Sequence, residues 1–178
     1  MLSRTTIVLH WLSAFGIILM IGIGLYVGAM PRGPAKVAMI QTHKSVGVIV
    51  LVVLLARIGW RLREGWPMAA TRLSDGEARL ARVVHWFLLV APIAMIASGI
   101  VRSLAYARSV DVFGVTVIPR LMTEKNEALN EAAGAVHDML ALILIAVIAA
   151  HVVGALRHHF IKRDPTLWRM LGQVGNSA

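Results

Sequence analysis

The chain has 178 residues, of which 58% are hydrophobic and 15% charged, with a formal net charge of +9 and a mean hydropathy of +0.74. This is too apolar for a soluble domain of its size and reads as an all-α integral membrane protein. The absence of cysteine excludes disulfides, thiolate metal ligands and cysteine nucleophiles, and the basic residues flank apolar runs instead of forming one soluble patch, which argues against nucleic acid as a partner.

In chain order, an uncharged run follows Arg4 and predicts a first spanning helix over about 5–30, long enough for a hydrocarbon layer of roughly 30 Å. The run is too long for a signal-peptide core and has no clear small-residue cleavage site, so it is expected to be retained. The breaker Met30-Pro31-Arg32-Gly33-Pro34 ends it. A second helix is expected over about 40–62, with its polar residues near the ends, where they can snorkel or pair. The next connection holds Pro67 and a Ser74-Asp75-Gly76-Glu77 capping box. It leads into a third helix over about 80–103. A long connection over roughly 104–131 is expected to be a functional or disordered loop, and a fourth helix follows over about 132–160 with a basic tail. The expectation is one four-helix bundle covering 1–178.

Four spans put both ends of the chain on one side. The N-terminus, second connection and C-terminal tail carry eleven Lys/Arg against seven elsewhere, so both termini are expected to be cytoplasmic. Trp11, Trp60, Trp66, Trp86 and Trp168 all fall on that side, as an interfacial belt would.

The fourth helix carries two histidines in its apolar run. His137 and His151 are fourteen residues apart, about 21 Å along a helix and on nearly one face. Imidazoles in a hydrocarbon-length helix are expensive to desolvate and face the bundle interior, a cavity or a metal. By depth, His10 pairs with His151 toward the cytoplasmic side and His43 with His137 toward the other. Each pair joins the fourth helix to a different neighbour, the way a bundle builds a metal or cofactor site. Two bis-histidine haem sites are the reading favoured over hydrogen-bonding or proton-relay histidines. Bis-imidazole ligation leaves no open iron position and suits electron transfer. Gly47, Gly134 and Gly154 lie on the histidine faces, giving a porphyrin room or allowing close helix packing. Arg57, fourteen residues after His43, is a natural partner for a propionate.

Leu9-His10-Trp11-Leu12, Gln41-Thr42-His43-Lys44, Arg57 followed by Arg61, Val83-Val84-His85-Trp86, Phe113-Gly114-Val115-Thr116, His137, His151, His158-His159-Phe160 and Leu167-Trp168-Arg169-Met170 together resemble the prokaryotic cytochrome b561 family of di-haem membrane proteins. The resemblance covers almost the whole chain and rests on the order and spacing of these pieces. It implies two b-type haems, ligated by His10 with His151 and by His43 with His137, in a multi-pass protein of the bacterial inner membrane. Some members, the superoxide oxidases, pass electrons from superoxide to ubiquinone; others are cytochrome b subunits relaying electrons between a partner dehydrogenase or hydrogenase and quinone.

Superoxide is the expected donor. Arg32, Lys36 and Lys44 form a basic funnel for a small anion at the periplasmic face, although ordinary solvated surface would also explain these charges. His158, seven residues beyond His151, is the expected catalytic group, an imidazole able to exchange protons with quinone near neutral pH. A propionate or lipid headgroup is an alternative partner for it, and His85 and His159 are further candidates on the quinone side.

Overall fold

A computed structural model describes residues 2–66 and 73–173. Four long helices dominate: α1 (Arg4–Ala29), α2 (Pro34–Glu64), α3 (Asp75–Ala105) and α4 (Glu127–Phe160). All four are long and apolar enough to cross a membrane, and together they fit a helical membrane bundle. Between α3 and α4 lies a two-stranded antiparallel hairpin, β1 (Val110–Val112) and β2 (Val115–Ile118), and a short α5 (Thr166–Met170) follows α4. Pro67, expected to punctuate the second connection, lies outside the described residues.

Three helices begin earlier than their apolar runs suggest. Pro34 occupies the first turn of α2, where its missing N–H costs nothing and its φ is already helical. The capping box forms as expected, with Ser74 Oγ accepting from Glu77 N and the Glu77 side chain accepting from Ser74 N, so α3 starts at Asp75 and not near Leu80. Asn126 caps α4 by accepting from Leu129 N at 3.0 Å. A helix of 31 residues spans about 46 Å, well beyond the hydrocarbon thickness of about 30 Å. Its polar first and last turns therefore lie outside the hydrocarbon, where hydropathy no longer marks the helix.

The connection expected to be a functional or disordered loop is instead structured. Phe113 (φ 47°) and Gly114 (φ 91°) place two successive positive φ values in a two-residue turn, the arrangement that matches strand twist in a hairpin. The hairpin is fastened to α2: buried Ser45 donates to the Gln41 and Asp111 carbonyls and accepts from Phe113 N at 3.0 Å. Lys44 Nζ donates to Ser103 Oγ (3.1 Å) and the Ser109 carbonyl (3.0 Å).

The most extensive helix contacts are within two pairs, α1 with α2 and α3 with α4. Gly16 lets α1 approach α2 so closely that a Cβ there would meet Val50 Cγ2 at 2.9 Å. By contrast, neither α1 with α4 nor α2 with α4 is among the extensive contacts between described residues. Large apolar side chains such as Phe15, Leu25, Val52, Leu142 and Val153 are exposed, as lipid-facing positions of a membrane bundle are. Only a small group, including Val50, Leu54, Leu89 and Leu144, is buried.

Both chain ends meet at one end of the bundle, where Trp11 Nε1 donates to the Met170 carbonyl at 2.7 Å. Glu77 ties α3 to the end of α4 through Lys162 (2.6 Å) and Arg157 (3.3 Å). This is termed the terminal end, and the opposite one the hairpin end. Replacing Ser45 by alanine should strand the Phe113 N–H and loosen the hairpin at a cost of about 1–2 kcal/mol. Faster amide hydrogen exchange at Phe113, with the four long helices unchanged, is the expected result.

Candidate functional site

Two pairs of imidazoles face one another across the space between the helix pairs. At the terminal end, His10 on α1 and His151 on α4 have ring centroids 6.4 Å apart with planes at 53°. At the hairpin end, His43 on α2 and His137 on α4 lie 6.3 Å apart at 72°. Both pairs thus bridge helices whose backbones keep their distance.

These separations can be compared with what an iron between the rings requires. A metal–imidazole bond of about 2 Å on each side, plus about 1.1 Å from each nitrogen to its ring centre, puts centroids about 6.2 Å apart. The observed distances match, so both pairs fit a bis-imidazole haem. Among the described residues no group of three or more His, Cys, Asp or Glu is placed to hold a metal ion. Two imidazoles at each place would suit a group that brings its own further ligands, as a macrocycle does.

The groups behind the rings differ between the ends. His137 Nδ1 lies 3.0 Å from the Met95 carbonyl and 3.1 Å from Ser98 Oγ. A carbonyl only accepts, so Nδ1 carries the proton and Nε2 is left with its lone pair for a metal, the tautomer that ligating histidines adopt. Gly99 makes this approach feasible, since a Cβ there would lie 3.2 Å from His137 Cε1. Gly24 packs on His43 less tightly: a Cβ there would lie 3.4 Å from its Cε1, an ordinary contact. His43 Nδ1 is buried without a hydrogen-bond partner among the described residues, a polar atom waiting for one.

At the terminal end, Arg57 Nη1 donates to buried Ser13 Oγ (2.7 Å), and Nη2 lies 3.1 Å from His10 Nδ1. A guanidinium only donates, so His10 Nδ1 accepts here. Ligation through His10 Nε2 requires Nδ1 to be protonated and Arg57 to release it. None of the ion pairs formed among the described residues involves Arg57, which leaves this half-buried cation suited to an anionic partner such as a propionate.

The glycines expected to make room behave differently from one another. A Cβ on Gly134 would meet the Arg102 guanidinium at 3.3 Å and one on Gly47 would meet Met20 Cε at 3.2 Å, so both serve close packing. At Gly154 a Cβ would meet nothing within 4 Å, leaving open space beside His151. Gly24 and Gly99 escaped the sequence reading because their contacts cross between helices. Ser13 was within reach of it, three residues from His10 and hence on its face.

His85 lies closer to the terminal-end pair than expected of a residue merely lining the region. Its ring is 5.5 Å from His151 and stacks on Trp66 at 6.3 Å and 17°. His158 Nδ1 is hydrogen-bonded to the Asp164 carboxylate, whose other oxygen accepts from Thr166 N at 2.9 Å. Burial alone would push the Asp164 carboxyl up, but the bonds from Thr166 and His158 hold it below the usual carboxylate range. His159 packs on Trp168 and Phe160.

The three basic funnel residues have separate settings. Arg32 is exposed, Lys36 donates to the Met30 carbonyl at 3.0 Å, and Lys44 is occupied in holding the hairpin. Asp111 sits beside Lys44 on that hairpin, held ionised by hydrogen bonds from Thr116 and Ser109. The funnel is narrower than the sequence suggested, because Lys44 is spent on structure and an acid lies nearby.

Residues 2–173 match the family described as prokaryotic cytochrome b561. The chain is 32% identical over 171 residues to cytochrome b561 homolog 2 of Escherichia coli K12, covering 92% of this chain and 87% of that protein. Cytochrome b561 homolog 1 of the same organism is 27% identical over 170 residues, with coverages of 95% and 96%. A probable superoxide oxidase CybB of Yersinia pestis is 32% identical over 129 residues, 72% of each chain.

Gly99, tight against His137, and Gly154, open beside His151, can be probed directly. Gly99→Val should displace the His137 ring, and Gly154→Leu should fill the space beside His151. Each is expected to lower the haem-to-protein ratio of the purified protein, with Gly154→Leu leaving the helix content intact. An unchanged ratio in Gly154→Leu would mean that the space beside His151 is not where the macrocycle lies.

Proposed function

The chain belongs to the prokaryotic cytochrome b561 family of haem b membrane electron carriers, and we propose that it moves single electrons from superoxide at the hairpin end to ubiquinone at the terminal end. In this reading it is a single-domain di-haem superoxide:ubiquinone oxidoreductase of the bacterial inner membrane. The terminal end faces the cytoplasm, in keeping with its larger share of Lys and Arg. The observation that carries the proposal is the pair of opposed imidazole couples, at 6.3 and 6.4 Å. Their α4 members are about 21 Å apart along the helix.

When bound, haem b would supply a one-electron iron couple. His43 and His137 would hold it at the hairpin end and His10 and His151 at the terminal end, where Arg57 would be available to a propionate. Two superoxide anions each give up one electron and leave as dioxygen; one ubiquinone takes both electrons and two protons to become ubiquinol. His158 stands at the terminal end with its Nδ1 fixed by Asp164, so the ring is oriented to pass a proton to the reduced quinone through its other nitrogen. Exposed Arg32 and half-buried Lys36 draw in the anion. A second reading, in which a docked protein donates the electrons, is favoured by the apolar hairpin tip, where Phe113 is 67% and Val115 69% exposed.

Haem content tests the ligand assignment. His137→Ala and His151→Ala should each retain about one haem per chain and the double variant none; full retention in a single variant refutes that ligand. Pulses of superoxide should reduce the b-type absorbance of the purified protein and form ubiquinol from a soluble quinone. Arg32→Glu with Lys36→Glu should slow this reduction several-fold at low salt. Failure of superoxide to reduce the parent protein would transfer the role of donor to a partner protein. His158→Ala should leave haem reduction rapid and slow steady ubiquinol formation; parental turnover would remove His158 from the proton path.

A further inference from the structure

We infer that the protein environment gives the terminal-end histidine site a higher reduction potential than the hairpin-end site, so that the direction of transmembrane electron flow is set by Met95 and Ser98 at one end and by Arg57 and Arg61 at the other. The inference rests on the assignment of one haem to each histidine pair and adds a polarity that family membership does not supply.

At the hairpin end, the His137 Nδ1–H points at the Met95 carbonyl (3.0 Å) and Ser98 Oγ (3.1 Å). A ligating imidazole that donates to a carbonyl becomes more basic. A more basic axial ligand stabilises the oxidised, more positive iron and lowers its potential. Two of the cations at this end, Arg102 and Lys44, lie beside acids. Arg102 lies 4.0 Å from Asp138, and Lys44 shares the hairpin junction with Asp111, whose carboxylate accepts from Ser109 and Thr116.

The terminal end is arranged in the opposite sense. Arg57 touches Ser13 and His10 and none of the ion pairs formed among the described residues involves it. One turn on, Arg61 donates to the Gly65 carbonyl (2.8 Å) and lies 5.2 Å from the Trp66 ring centre. Glu64, the acid of this region, is engaged by Thr6 and by Trp60 Nε1 (2.9 Å), and its charge acts on Arg61 and not on Arg57. His85 also lies against His151. A cation in a medium of lowered dielectric disfavours the more positive oxidation state of a nearby iron. Here it raises the potential, and it does so whether Arg57 stays on His10 or turns aside within the same pocket. Propionates come with both haems alike, so the difference between the ends is the protein's own.

The step in question transfers one electron and no proton: the hairpin-end couple is oxidised as the terminal-end couple is reduced. Downhill flow in that direction holds electrons where quinone is proposed to collect them.

Equilibrium redox potentiometry of the haem-loaded protein, read by b-type absorbance, tests this without turnover. The parent should show two midpoints, and single-haem His137→Ala and His151→Ala proteins should assign the higher to the terminal end. Arg57→Gln should lower only the higher midpoint, by at least a tenfold change in relative preference for the oxidised state, or 59 mV for one electron. Arg57→Lys should stay near the parent value. Arg61→Gln, which leaves the Arg57 contacts in place, should lower the same midpoint by less. Coincident midpoints, a higher midpoint at the hairpin end, or an Arg57→Gln shift in the lower midpoint would overturn the inference. Absence of a b-type spectrum, or a parent with one haem per chain, would instead overturn the ligand assignment beneath it.

Discussion

A polar ring in a hydrocarbon-length helix needs a partner, and the rest of this structure follows from how that need is met. His137 and His151 sit on one face of α4; His137 looks across to His43 on α2, and His151 to His10 on α1 with His85 of α3 also against its ring. Imidazoles desolvated at this depth face the bundle interior, where they pair with protein groups or bind a cofactor. The helices respond by packing in two pairs, α1 with α2 and α3 with α4, while the interface that carries the histidines stays open. Glycines are placed accordingly: Gly16 closes α1 onto α2, and Gly99 lets the ring of His137 stand where it does.

Close packing and site building divide the same polar side chains. Ser13 and Ser98 are buried hydroxyls that donate to carbonyls of their own helices and also meet the functional layer, Ser13 through Arg57 and Ser98 through His137. Ser45 and Lys44 are taken up in anchoring the hairpin. The result is a bundle whose two ends differ chemically: a carbonyl stands behind His137 at one end, and at the other Arg57, in none of the ion pairs among the described residues, stands behind His10.

Much of this was legible in the residues. The four helices follow from apolar runs and the cap at Ser74, and the depth pairing of the histidines needs only helical rise applied to positions 10, 43, 137 and 151. Helix ends were less readable because the first turns of α2, α3 and α4 extend past the hydrocarbon, where polar residues no longer signal a break. The hairpin was missed because its two strands are very short and its turn places Phe113, not an Asn or Asp, at a positive φ. Contacts across helices, such as Gly99 on His137 or Met95 behind its Nδ1, leave no periodic trace in one sequence. Lys44 shows the same limit from the other side: its charge was visible, its engagement with Ser103 and Ser109 was not.

The central claim is that two irons lie in this chain, each between two imidazoles. Electron paramagnetic resonance of the fully oxidised, haem-loaded protein tests it most directly. The account predicts two low-spin ferric centres per chain, since neither iron keeps an open position. A single centre, or a high-spin signal integrating to a full equivalent per chain, would contradict it.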